Sequence, residues 1–169
     1  AFMKHIDSFK VGIASAGTPD ATLEERIGAC GSFTNTLLAL AAAQGLEGRY
    51  VNLHNYPANN GHTVAEIRLN KKWALYDPTF GAFYTRVGAP DPLSYDEIKS
   101  GYDEGLAIEI HHDSRRDGLE AFTGRSIFTQ ASPAGVIGPD KPFYFPLQLS
   151  LHRQNTIEDT QFGPSLQGA

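Results

Sequence analysis

The 169-residue sequence contains a single cysteine, Cys30. That scarcity excludes an intramolecular disulfide framework and any closed multi-cysteine zinc cage. Long apolar runs are missing as well: the longest, residues 37–43, falls far short of the roughly 20 residues a membrane-spanning helix needs. Basic excess is also absent, with 14 Lys and Arg against 19 Asp and Glu and a formal net charge of −5. A nucleic-acid surface built from clustered Lys and Arg is therefore not expected. The opening Ala-Phe-Met-Lys-His-Ile-Asp lacks the charged-then-apolar pattern of a secretory leader. It does not read as a natural start, and a mature form and a piece of a longer chain both fit it. One thiol leaves the compartment open.

What is present suits one domain with a real core, since 41% of the residues are hydrophobic. The expected division is a single domain over residues 1–153 and a polar tail over 154–169, without repeats or low-complexity blocks. Thr22 and Glu25 have capping-box spacing and predict a short helix over 22–27. A stronger helix is expected over 30–44, rich in Leu and Ala and stopped by Gly45. Its buried stripe should carry Cys30, Phe33, Leu37 and Leu40. Strands are expected over 49–53, 62–69 and 73–77, with a loop over 55–61 and a polar turn at Asn70, Lys71 and Lys72. Beyond Gly81 the pattern weakens, leaving a short helix over 94–99 and strands over 106–110 and 143–151.

Cys30 opens its helix, where free backbone N–H groups and the positive end of the macrodipole favour a thiolate. Gly28 and Gly31 flank it and would let a substrate approach closely. A buried structural cysteine is the plain alternative. His62 and Asp77 fall on two strands that should form a hairpin. With Asn70 and Lys71 as a two-residue turn, Leu69 faces Lys72, and Asp77 becomes the diagonal neighbour of His62 on one sheet face. A carboxylate there can accept the imidazole N–H, fix its tautomer and stabilise the imidazolium. A one-residue slip would separate the two groups.

Four segments, in order, carry a resemblance: Gly28-Ala-Cys30-Gly-Ser-Phe-Thr-Asn, then Gly45-Leu-Glu-Gly-Arg49-Tyr-Val, then Gly61-His62-Thr-Val-Ala-Glu66-Ile, then Trp73-Ala-Leu-Tyr-Asp77-Pro78-Thr-Phe-Gly81. Together they resemble the bacterial transglutaminase-like superfamily, with its papain-like Cys-His-Asp arrangement. The resemblance implies an α+β fold with a core helix packed on an antiparallel sheet. It implies Cys30 as nucleophile, His62 as general base and Asp77 as orienting carboxylate. The chemistry implied is acyl transfer or hydrolysis of an amide or peptide-like substrate through a thioester, without metal or cofactor. Hydrolysis is preferred to cross-linking, because nothing in the sequence suggests a dedicated second-substrate site. The alternative is a binding or scaffold module that keeps the fold without turnover. The only tryptophan, Trp73, lies downstream of the nucleophile, whereas eukaryotic transglutaminases place one upstream near the oxyanion. The Cys30 backbone N–H is thus the one assigned oxyanion donor.

Gly31, His54, Tyr56, Gly61 and Phe80 are the candidates to line a substrate groove. For Tyr56, Phe80, Phe83 and Tyr84, ordinary core packing is an equal alternative. Glu66 shares a strand face with His62, where it either touches the site edge or pairs with a basic side chain. His111, His112 and Asp113 invite a metal reading, but no second cluster has ligand spacing. His5 and His152 are isolated, and Arg115 and Arg116 read as solvated surface.

Overall fold

The computed structural model describes residues 2–55, 60–105, 107–112, 134–137 and 160–162. After a 3-10 turn at Met3–Ser8, two short strands, β1 (Lys10–Val11) and β2 (Ile27–Gly28), pair in parallel around helix α1 (Pro19–Glu25). The cap of α1 is Thr18 rather than the expected Thr22. Thr18 Oγ1 accepts from the Ala21 N–H at 3.2 Å, and Pro19 takes the first turn. Proline suits that position because its fixed φ is helical and its missing N–H would have no partner there. Thr22 lies inside the helix, fully buried. Arg26, left-handed at φ 53°, ends α1 before Ile27, earlier than the 22–27 reading.

Helix α2 (Cys30–Ala42) starts where the sequence places it. Its buried side differs from the expected stripe. Phe33, Thr34, Leu38 and Ala41 are buried, whereas Leu37 and Leu40 are only partly covered. The reason is the partner surface: Leu38 and Ala41 pack on Ala65 and Ile67, with Leu37 at the margin. Gly48 receives the Leu38 side chain, since a Cβ there would lie 2.6 Å from Leu38 Cδ2.

That surface belongs to an antiparallel sheet of seven strands among the described residues. Five are consecutive in the chain: β3 (Gly48–Asn55), β4 (Asn60–Leu69), β5 (Lys72–Asp77), β6 (Ala82–Arg86) and β7 (Ile108–His112). β8 (Ala134–Ile137) pairs with β7, and β9 (Thr160–Phe162) pairs with β3. Three residues of the range read as a polar tail therefore carry a strand. β6 and β8 were not expected, and β7 begins two residues later than the 106–110 reading. The 143–151 strand lies outside the described residues. Helix α3 (Tyr95–Asp103) opens on a capping box: the Glu97 N–H donates to Ser94 Oγ and the Ser94 N–H to Glu97 Oε2. The whole is an α+β arrangement, a helix-covered antiparallel sheet.

Candidate active site

The β4–β5 hairpin sets the site's register. Asn70 and Lys71 both adopt positive φ, 50° and 69°, the pattern of a two-residue type I′ turn. Leu69 then faces Lys72, and the ladder runs back to Ala65 opposite Tyr76. Continued toward the open end, it brings Asp77 diagonal to His62. The His62 Nε2 lies 2.7 Å from Asp77 Oδ2, and both side chains are buried. The other carboxylate oxygen, Oδ1, accepts from the backbone N–H groups of Thr79 at 2.9 Å and Phe80 at 3.4 Å. One aspartate thus holds the imidazole and the β5–β6 turn together.

With Nε2 taken by Asp77, Nδ1 is the nitrogen left for Cys30, whose thiol is hydrogen-bonded to His62. Burial lowers the His62 pKa, but the charge and hydrogen bond of Asp77, with Cys30 added, raise it to about 10. Burial pushes the Cys30 thiol up. The hydrogen bond and charge of His62, then the N–H groups of Thr63 and Gly31, outweigh it and hold the thiol below its ordinary value. Both shifts favour a thiolate–imidazolium pair. Ala29, the N-cap of α2, offers no side-chain acceptor. The first-turn N–H groups therefore receive no acceptor from the cap residue, and the positive end of the helix favours negative charge beside Cys30.

The middle of α2 packs on Ala65 and Ile67, whereas His62 belongs to the alternate set of β4 residues. Cys30 meets His62 where the β5 ladder has ended. There the Thr34 hydroxyl, one turn after Cys30, donates to the Thr63 carbonyl at 2.9 Å. Sequence reasoning missed Thr34 and Thr63. The only available signal was Pro78, which cannot donate to a strand neighbour.

The remaining sequence candidates separate cleanly. Gly31 is exposed, and a Cβ there would meet nothing within 4 Å. Gly28 corrects the expectation of a clear approach on both sides: it is buried, and a Cβ would lie 2.6 Å from the Phe33 ring. Its smallness serves core packing. Gly28→Ala is therefore expected to cost about 1–3 kcal/mol by overpacking, and Gly31→Ala to gain about 0.5–1 kcal/mol of helix stability, both read by urea melts. Phe80 is buried, its ring 5.6 Å from that of His62. Gly61 pairs with His54 across β3 and β4, and Tyr56 lies outside the described residues. Tyr84 is fully buried. Burial, then the charge of Asp77, push its phenol well above the ordinary value. Phe83 is partly covered and stacks on His111 at 4.7 Å.

Glu66 is fully buried and pairs with Arg49 at 2.7 Å, while its Oε1 accepts from the Tyr95 N–H at 2.7 Å. Arg49 in turn lies over the Trp73 ring at 4.3 Å. This glutamate ties the sheet to α3. His111 bonds the Thr85 hydroxyl at 2.8 Å, and among the described residues no three His, Cys, Asp or Glu side chains group as a metal site. Asp113, Arg115, Arg116 and His152 lie outside the described residues. No helix among those residues is long and apolar enough to cross a membrane.

The pKa shifts have a stability consequence. A histidine raised from 6.5 to about 10 stabilises the fold fully below its unfolded value, and that contribution is lost as pH rises through about 10. Urea melts of the wild type between these limits should weaken with rising pH, and His62→Gln, which does not titrate, should weaken less. The depressed Cys30 thiol works oppositely: its contribution is present above the ordinary value of 9.0 and lost as pH falls through the folded value.

Residues 7–78 match the transglutaminase-like superfamily, a span that includes Cys30, His62 and Asp77. No curated protein and no solved structure matches the chain.

Proposed function

We propose, from the match of residues 7–78 to the transglutaminase-like superfamily, that the protein is a cysteine-dependent acyl hydrolase or acyltransferase acting on an amide or peptide-like substrate. The observation that carries the reading is the chain of contacts from the Cys30 thiol through His62 to Asp77 at the uncapped start of α2. That order of contacts suits a nucleophile, a base and an orienting acid, and it supports the reading.

In the proposed reaction the Cys30 sulfur bonds to the carbonyl carbon while the carbonyl π electrons move to oxygen. The Cys30 backbone N–H, at the helix start, is the donor assigned to that oxyanion. As the intermediate collapses, the carbon–nitrogen bond breaks and the His62 imidazolium passes its proton from Nδ1 to the leaving amine. Water, deprotonated by the same nitrogen, then attacks the thioester, and the sulfur leaves as thiolate. An amine in place of water would give transfer. Gly31 offers open space beside the sulfur, so the groove is proposed to pass over it. Hydrolysis is the proposed outcome.

The test is a mass-spectrometric screen for a covalent adduct, with peptide, glutamine-amide and ester libraries offered to the intact chain. An acyl mass on Cys30 that forms and decays supports the enzyme. A Cys30 that never acquires one, beside tight binding of the same peptides, identifies a silent binding module instead.

A further inference from the structure

Thr34 and Thr36 sit two residues apart on α2 and are both fully buried, yet they use their hydroxyls differently. Thr36 donates to the Ser32 carbonyl four residues back at 2.9 Å, the ordinary way a helical threonine satisfies itself. Thr34 instead reaches off the helix to the Thr63 carbonyl, also at 2.9 Å. That carbonyl is open for a reason rooted in the hairpin. In a two-residue hairpin the residues flanking the turn exchange both backbone hydrogen bonds, and every second pair repeats this. Leu69, Ile67 and Ala65 therefore direct their backbone groups at β5, and Thr63 continues the series. The ladder ends at Ala65 opposite Tyr76, and the next such partner along the same register is Pro78, which has no N–H. The Thr63 carbonyl would be orphaned without a donor from elsewhere.

We infer that Thr34 is a positioning residue, which fastens the first turns of α2 to the backbone of β4 next to His62 and so fixes the spacing of the Cys30 thiol and the His62 imidazole. The inference rests on the thiol–imidazole reading proposed above and adds the part that sets its geometry. Thr34 lies one turn beyond Cys30, and Thr63 is the neighbour of His62, so a single hydroxyl ties the element bearing the thiol to the element bearing the base. The Thr63 N–H, directed at the Cys30 sulfur, gives the same backbone unit a second attachment to the helix. The Thr63 side chain is held from the other direction, its hydroxyl donating to Asn52 Oδ1 at 3.0 Å. A shift of about 1 Å between reacting groups can cost a hundred-fold in rate, so one bond at this point has leverage.

The experiment measures the rate of Cys30 alkylation by iodoacetamide from about pH 5 to pH 10 in the wild type, Thr34→Ser, Thr34→Val and His62→Ala, with thermal melts of each. Thr34→Ser keeps the hydroxyl and should keep the wild-type pH profile. Thr34→Val keeps the shape but cannot donate, and should move the thiolate limb up by about one pH unit, a ten-fold slower alkylation below both limbs. Should Thr34→Val fail to fold, Thr34→Ala set against Thr34→Ser makes the same comparison. A valine or alanine variant that melts lower but keeps the wild-type profile would reduce Thr34 to a packing contact and overturn the inference alone. A wild-type Cys30 that behaves as an ordinary thiol and ignores His62→Ala would overturn the thiol–imidazole pair, and the inference with it.

Discussion

Under the proposed reaction, Cys30→Ala is expected to leave no acyl adduct and no turnover above background, because the Cys30 sulfur carries the acyl group there. In the serine-triad precedent, losing nucleophile or base alone costs roughly a million-fold in kcat. His62→Ala should approach that loss by a different route. The thiol remains, but the imidazolium that holds it below its ordinary value is gone, so little thiolate exists near neutral pH. The leaving amine also loses its proton source. Cys30 should still be alkylated in His62→Ala at high pH, which separates a missing base from a missing nucleophile. Single-turnover kinetics and the mass of the alkylated chain read both effects.

Asp77→Asn should be nearly as severe, by about ten-thousand-fold in kcat on the serine-triad precedent, and the local hydrogen bonds give the reason. Oδ1 is held by the N–H groups of Thr79 and Phe80, and Oδ2 faces His62 Nε2. An asparagine must turn its carbonyl oxygen to the two backbone donors, so its NH₂ meets Nε2. Two donors cannot share that contact, and the ring proton moves to Nδ1, the nitrogen facing Cys30. The imidazolium would set its Nε2–H against that NH₂, so the ion pair is lost, and the neutral ring, with its proton on Nδ1, cannot take the thiol proton. Asp77→Ala leaves the tautomer free and should be milder in turnover. It should be worse in stability, since the buried Thr79 N–H loses its acceptor at about 1–3 kcal/mol. Adding Asp77→Asn to His62→Ala should cost nothing further in kcat, because the carboxylate acts only through the imidazole. Losses that multiply would mean the two residues do not work as one unit.

The legibility of the chain follows the range of the interactions involved. The β4–β5 hairpin was readable because its register depends on two turn residues and a period of two, both local. Cys30 at a helix start and His62 diagonal to Asp77 follow from that local information. The α1 cap was misplaced by four residues because Thr18-Pro19 and the Thr22 and Glu25 pair compete as start signals, and proline at the first turn wins. The buried side of α2 was misassigned because it is chosen by what lies opposite. Gly48, which admits Leu38, and the small Ala65 belong to strands remote in sequence. Strand β6 escaped notice because its burial pattern is nearly continuous instead of alternating. The Thr34–Thr63 bond was invisible for a similar reason: a helix hydroxyl meets a strand carbonyl across 29 residues, and no periodicity records that.

The thiolate–imidazolium pair is most directly tested by the pH dependence of Cys30 alkylation in the unmodified protein. Cys30 is the only cysteine, so the whole reaction with iodoacetamide reports on one group. The lowered thiol and the raised imidazole predict a rate that climbs at a pH below 9.0, holds a plateau, and changes again as His62 loses its proton near 10. In His62→Ala the plateau should vanish and the climb should return to the ordinary thiol range. A wild-type profile with one limb at the ordinary thiol value, unchanged by His62→Ala, would mean that Cys30 is a half-buried thiol without a partner base.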